Sequence, residues 1–174
     1  FTGAYYSGTV SSPVRGVYAG GNNPSGSVST IQNLTIASLG NMIKFGDLTV
    51  SRYGCAGGGN SVRGIFCGGY APYAPSGKKH RQTIDYVTIA SEGNAIEFGD
   101  AQPSATTGIT QRLGSGSNQT RAVWAGGQDN VTSVNVMEYV TIATTGNSQD
   151  FGDLVEKQRA LAALSDSHGG LGGY

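Results

Sequence analysis

Three aspartates, Asp47, Asp100 and Asp153, recur at a constant step of 53 residues, each closing a Phe-Gly-Asp triplet. Carboxylates serve acid–base or metal chemistry only where they converge: a glycosidase needs a facing pair, and a metal needs several donors on one centre. One acid per repeating unit suits a turn instead, since an Asp side chain accepts bonds from neighbouring backbone amides. The other acids, among them Asp85, Glu92, Glu97, Glu138 and Asp150, fall in strand-like or turn-like stretches with no evident pairing. His80 and His168 lie far apart without motif partners, and Cys55 and Cys67 lack the CxxC spacing of zinc or redox sites. Gly114-Ser115-Gly116-Ser117-Asn118 reads as a loop and not as a nucleophile elbow, and Gly57-Gly58-Gly59-Asn60 lacks the Lys and Ser/Thr of a phosphate loop. The expectation is a protein that is not an enzyme, with no catalytic residue, no metal and no cofactor.

Residues suited to binding are easier to find. The stretch from Tyr70 to Arg81 combines Tyr70 and Tyr73, whose rings could stack on sugars, with Lys78, Lys79, His80 and Arg81, which could pair with acidic groups. Gln102 to Gln119 reads as a second expanded connection, and Tyr5, Tyr6, Asn22 and Asn23 add similar chemistry near the start. The 11 basic residues balance the 11 acidic ones, so no global field attracts nucleic acid. No apolar run approaches the roughly 18 residues of a membrane helix, so no membrane insertion is expected. Sequons at Asn33, Asn118 and Asn130 would matter only in a eukaryotic secreted setting.

These residues are placed by a repeat. Ile31 to Leu48, Ile84 to Ala101 and Met137 to Leu154 align without gaps at a step of 53 residues. Between them lie Arg15 to Gly21, Arg63 to Gly69 and Arg121 to Gly127, at steps of 48 and 58, so that length varies only in the connections. In each unit a β-branched and aromatic strand such as Tyr86-Val87-Thr88-Ile89-Ala90 meets a Gly-Asn turn and then the Phe-Gly-Asp strand. Phe45, Phe98 and Phe151 are expected between neighbouring units as core, and Asp47, Asp100 and Asp153 as turn locks. The pairs Gly20-Gly21, Gly68-Gly69 and Gly126-Gly127 are expected to let backbones approach closely. The segment from Val155 to Leu164 contains good helix formers, yet its place in the repeat predicts a strand. Variable stretches around Arg52, Arg112 and Arg159 complete each unit, giving four short strands, the content of one propeller blade.

A double Gly closing a hydrophobic strand, a Tyr-bearing strand, an aromatic in the fourth strand and an Arg before the next unit together resemble the kelch repeat. The wording from Tyr139 to Leu154 is similar to the kelch-like repeats of virion proteins of tailed bacteriophages, notably those infecting marine bacteria and cyanobacteria. The likeness spans most of residues 15–174. It implies an all-β protein of kelch-like β-propeller blades, each of four antiparallel strands. Residues 1–14 would be a partial blade or connection, residues 15–48, 49–101 and 102–154 three repeats, and residues 155–174 a partial closing blade. It further implies a virion structural or tail-associated protein displaying loops for adhesion to a host-surface glycan. Its partners would be other virion subunits or copies of itself. A secreted carbohydrate-active or oxidase-like propeller enzyme is the alternative, and a kelch-type protein-interaction module the third. Three units are too few to close a ring, since propellers use at least about four blades. The chain, which begins at Phe1, is therefore expected to be a processed or partial product or to self-associate, two chains supplying three blades each.

Overall fold

The computed structural model describes residues 4–72, 82–102, 111, 113–128 and 132–163. The protein is all-β: fourteen strands form three four-stranded antiparallel sheets and one two-stranded hairpin, with no helix and no closed ring among the described residues. The first sheet orders β1 (Gly8–Ser11), β2 (Arg15–Ala19), β5 (Thr30–Thr35) and β6 (Ile43–Asp47), with the hairpin β3 (Asn22–Asn23) and β4 (Gly26–Ser27) inserted between β2 and β5. The second orders β7 (Ala56–Gly59), β8 (Arg63–Cys67), β9 (Thr83–Thr88) and β10 (Ile96–Asp100). The third orders β11 (Gly114–Ser117), β12 (Arg121–Ala125), β13 (Val134–Thr141) and β14 (Gln149–Gln158). Each sheet is a meander like a propeller blade, and they are called blades 1, 2 and 3.

The blade limits differ from the sequence expectation. Blade 1 starts at Gly8, inside the stretch read as a partial blade or connection, and β14 runs on to Gln158, so the fourth strand of blade 3 includes residues assigned to a closing blade. Gly114 to Ser117 is not a loop but the innermost strand of blade 3. Small residues are needed there because the inner strands lie against one another, β7 between β1 and β11. A Cβ on Gly57 would collide with the Thr9 backbone, and one on Gly64 with Val10.

Two apolar cores hold the blades in file. Val10, Val17, Ile31, Phe45 and Leu48 of blade 1 pack on Phe66, Val87, Ile89 and Ala95 of blade 2. Ile65, Ile84, Phe98 and Ala101 of blade 2 pack on Trp124, Val140 and Ile142 of blade 3. The expectation of three equivalent rings meets a difference here. Phe45 and Phe98 are 4% and 3% exposed, but Phe151 is 48% exposed, because no described blade follows blade 3.

The outer strands carry the connecting device. The ladder slips at the Phe of every Phe-Gly-Asp: Gly46 faces Ile31 while Lys44 faces Gln32, and the same irregularity recurs around Phe98 and between Met137 and Glu138. Such a bulge turns the extra residue's backbone out of its own sheet. The next blade uses it: Gly93 N–H donates to the Phe45 carbonyl at 2.9 Å, and Gly146 N–H to the Phe98 carbonyl at 2.8 Å. Asp47 then receives Ala95 N–H on its carbonyl (2.9 Å) while its own N–H donates to Asn94 Oδ1 (3.1 Å), and Asp100 repeats this with Ser148 N–H and Asn147 Oδ1. The turn is therefore locked by the Asn side chain and the Asp backbone. The Asp47 carboxylate instead accepts from Ser29 and pairs with Lys44 at 2.8 Å, a hydrogen bond that holds its pKa below the ordinary value.

A Cβ on Gly46 would run into the Gly93 carbonyl, whereas one on Gly40 meets nothing within 4 Å. Gly46→Ala is therefore expected to lower unfolding stability by about 1–3 kcal/mol, with Gly40→Ala close to neutral. Urea titrations of the two variants check this.

Candidate functional site

In an antiparallel meander, the connections from second to third strand and from fourth strand to the next blade leave at one end of the sheet. All length variation in this chain therefore falls at a single end of the blades: the β3–β4 hairpin, the connection between β8 and β9, and that between β10 and β11. The opposite end is uniform. There Ser12, Asn60 and Asn118 accept the backbone amides that tighten the first turn of each blade.

The double glycines mark the variable end. Gly20 and Gly21 have φ of 67° and 120°, Gly68 and Gly69 70° and 112°, and Gly126 and Gly127 62° and 98°, a left-handed path that few other residues take. This path turns the chain so that Gly21 N–H reaches the Arg52 carbonyl and Gly127 N–H the Gln158 carbonyl. A Cβ on Gly126 would sit 2.6 Å from the Gln158 carbonyl oxygen, so close approach is also at work. Beyond each pair the chain bridges back to the strand-entry segment, Tyr5 with Asn22, Tyr53 with Tyr70, and Gln111 with Gln128, and Gln128 also bridges Ser133.

These bridges place aromatic and amide side chains side by side. Tyr5 and Tyr6 meet edge to face at 5.2 Å, Tyr6 stacks on Tyr53 at 6.3 Å, and Tyr53 meets Tyr70 at 5.5 Å. Asn22 Nδ2 donates to the Tyr5 hydroxyl at 2.6 Å. Tyr5 and Tyr6 remain 54% and 55% exposed. Tyr6 holds φ of 61°, and Gly54 and Ala160, one residue past Tyr53 and Arg159, hold 70° and 58°. A tyrosine in this region is strained where Gly54 is not, and strain of this kind, about 1 kcal/mol or more, tends to be kept where a side chain has work at the surface.

Of the residues singled out in the sequence for binding, Tyr5, Tyr6, Asn22 and Tyr70 lie on this terrace, Tyr70 half-buried against Tyr53. Tyr73, Lys78, Lys79, His80 and Arg81, together with Arg112 and His168, lie outside the described residues. Tyr53 and Gln128 were missed, and Gln111 was covered only by the stretch from Gln102 to Gln119, although the steps of 48 and 58 residues that align the glycine pairs also align all three.

The acids are placed differently from the expectation that they lack partners. Asp85 is fully buried beneath the terrace, where its carboxylate meets Arg52 Nη2 at 3.1 Å and accepts the Thr49 amide and hydroxyl at 3.0 and 2.7 Å. Arg52 Nη2 also lies 3.3 Å from the Phe66 carbonyl. Glu138 occupies the same repeat position in blade 3, accepting from Ser148 at 2.6 Å and from Gln102 N–H at 3.2 Å. Burial pushes its carboxyl pKa above the usual value, against the opposing pull of those bonds. Cys55 and Cys67 are buried free thiols whose pKa burial raises, which removes thiolate reactivity. Among the described residues no cluster of His, Cys, Asp or Glu could hold a metal ion. No family model matches the chain, and no curated protein matches it either.

Removing Asp85 leaves a buried guanidinium without its counter-charge. Asp85→Ala is expected to lose about 3–5 kcal/mol of stability, and Arg52→Met with Asp85→Leu together much less, as chemical denaturation will show. Glu138 has the opposite sign. A raised carboxyl pKa in the folded state means that the folded chain holds its proton longer, so stability falls as pH climbs from near 4.5 through the folded pKa. Glu138→Gln, which keeps the acceptor oxygen, should flatten that slope and match or exceed the parent's melting temperature at pH 7, measured by calorimetry across pH.

Proposed function

We propose that this chain is a non-enzymatic structural or tail-associated protein of a tailed-bacteriophage virion, and that the terrace at the variable end of its blades binds host-surface glycan. The terrace carries this reading. The repeat-equivalent bridge of each blade, Tyr5 with Asn22, Tyr53 with Tyr70 and Gln111 with Gln128, is made by Tyr, Asn or Gln and not by the aliphatic residues of the frame. Tyrosine rings can cover the C–H faces of a sugar, while amides offer both donor and acceptor to its hydroxyls. The strained Tyr6 beside them favours a role for its ring over a role in folding.

The non-enzymatic half is supported by how the acids are engaged. Asp47 pairs with Lys44, Asp85 with Arg52, and Glu138 with Ser148, so that these carboxylates are engaged by the frame. The virion half rests on the resemblance of the repeat wording between Tyr139 and Leu154 to phage kelch-like repeats.

Two measurements test it. On an array of bacterial surface polysaccharides the chain should bind a subset, and Tyr5→Ala with Tyr6→Ala should weaken that binding by about tenfold or more without lowering the melting temperature. Tyr6→Gly alone should relieve backbone strain and raise stability by about 1 kcal/mol while weakening binding. Peptides of the chain should also be recovered from purified phage particles. No glycan binding, or binding indifferent to both tyrosines, would refute the adhesive role, and absence from the particles the virion assignment.

A further inference from the structure

We infer that the open face of blade 3 receives blade 1 of a second copy of this chain, and that two chains close in this way into one six-bladed ring. The two internal junctions define what a blade face offers and what it takes. The offering side contributes a Phe on its bulge, the Asp that follows, and an arginine. Arg15 Nη1 donates to the Ile89 and Ala90 carbonyls at 3.0 and 3.1 Å, and Arg63 Nη1 to the Ile142 and Ala143 carbonyls, both at 3.0 Å. The receiving side contributes those carbonyls, the isoleucine that bears one of them, and the Gly-Asn turn.

Blade 3 presents a complete offering side with no described blade upon it. Arg121 lies over the Tyr139 ring at 4.7 Å, as Arg63 lies over Tyr86 at 4.8 Å, so its guanidinium is held in the same pose. Phe151, Val123, Ala125 and Leu154 line an open groove of about 660 Å³ beside it. Their counterparts Phe98, Ile65, Cys67 and Ala101 are the core between blades 2 and 3.

Blade 1 presents a complete receiving side. Ile36 stands at the repeat position of Ile89 and Ile142, yet it is 53% exposed where each of those is 1% exposed. With Leu34, Gly40, Asn41 and Ile43 it lines a second groove, of about 380 Å³. Docked as the internal blades are, Arg121 would bond the Ile36 and Ala37 carbonyls, Gly40 N–H the Phe151 carbonyl, and Asp153 N–H the Asn41 side chain. Gln32, at the position of Asp85 and Glu138, would offer its amide oxygen to Val155 N–H. The two faces complement each other and neither complements itself, so the contact is head to tail. The described residues of each chain form three blades, and rings of about four to eight blades are the workable range. Six, from two chains, is the multiple of three that fits.

Light scattering of the chain after size exclusion tests this. The expected mass is twice 17.8 kDa. Ile36→Asp on the receiving face and Phe151→Asp on the offering face should each reduce it to one chain, with far-UV circular dichroism unchanged because both side chains are exposed. Arg121→Ala is an independent lesion of the offering face with the same expected loss. An equimolar mixture of the two aspartate variants should restore a two-chain species, since the intact blade 3 of one meets the intact blade 1 of the other. A single-chain mass for the unaltered protein overturns the proposal in favour of faces covered by another polypeptide. A dimer that resists the substitutions, or variants that fail to complement, overturn the head-to-tail geometry, and open-ended growth overturns closure.

Discussion

The bulge at each Phe-Gly-Asp is the feature on which the rest depends. A regular fourth strand would pair its backbone within its own sheet and leave the next blade nothing but side chains to grip. The slip at Phe45 and Phe98 swings one carbonyl outward, and the Gly-Asn turn of the following blade bonds to it through main chain and side chain together. This explains why Gly follows the Phe. At Gly46 and Gly99 the neighbouring turn comes so near that a Cβ would overlap the Gly93 and Gly146 carbonyls. Apolar burial then supplies the bulk of the stability, but the backbone bonds set the register at which one apolar face meets the next.

The same junction separates frame from site. Arginine donation and tight first turns occupy the uniform end of the blades, so changes in loop length there would break contacts with a neighbour. At the other end the chain needs only the left-handed glycine pair and the bridge that follows it before its length can vary. The residues at the bridges lie outside the cores between blades and can be aromatic or amide without harm to the frame. Beneath them, a buried ion pair ties the connection between blades 1 and 2 to blade 2, and its geometry leaves Asp85 well satisfied by Arg52 and Thr49. Blade 3 meets the same position with Glu138 and a serine, a different answer to the same buried polar amide.

Much of the frame could be read from spacing. The 53-residue step, the Gly-Asn turns and the glycine pairs each follow from local chemistry, and the all-β blades are what they become. Other features were hidden for physical reasons. Gly114 to Ser117 lacks every mark of strand propensity, because an inner strand pressed between neighbours must be small before it can be β-branched. Arg52 lies in the connection between β6 and β7 and Asp85 in β9, far apart in sequence, so no local pattern could pair them. The Gly-Asn turn was visible, but its asparagine looked like a turn former for its own hairpin when its side chain serves the preceding blade. Phe151 matched Phe45 and Phe98 in wording and differs from them in having no described blade beside it.

By itself the sequence determined the repeat, its four-strand content and the residues able to take left-handed backbone, since these depend on neighbours within a few positions. Tertiary structure alone decided which ends of the strands coincide, and therefore that the variable connections and the tyrosines Tyr5, Tyr6, Tyr53 and Tyr70 share one end. It also decided which faces are covered. Identical local sequences give a buried ring in one blade and an exposed one in another, because burial is a property of the neighbour and not of the strand.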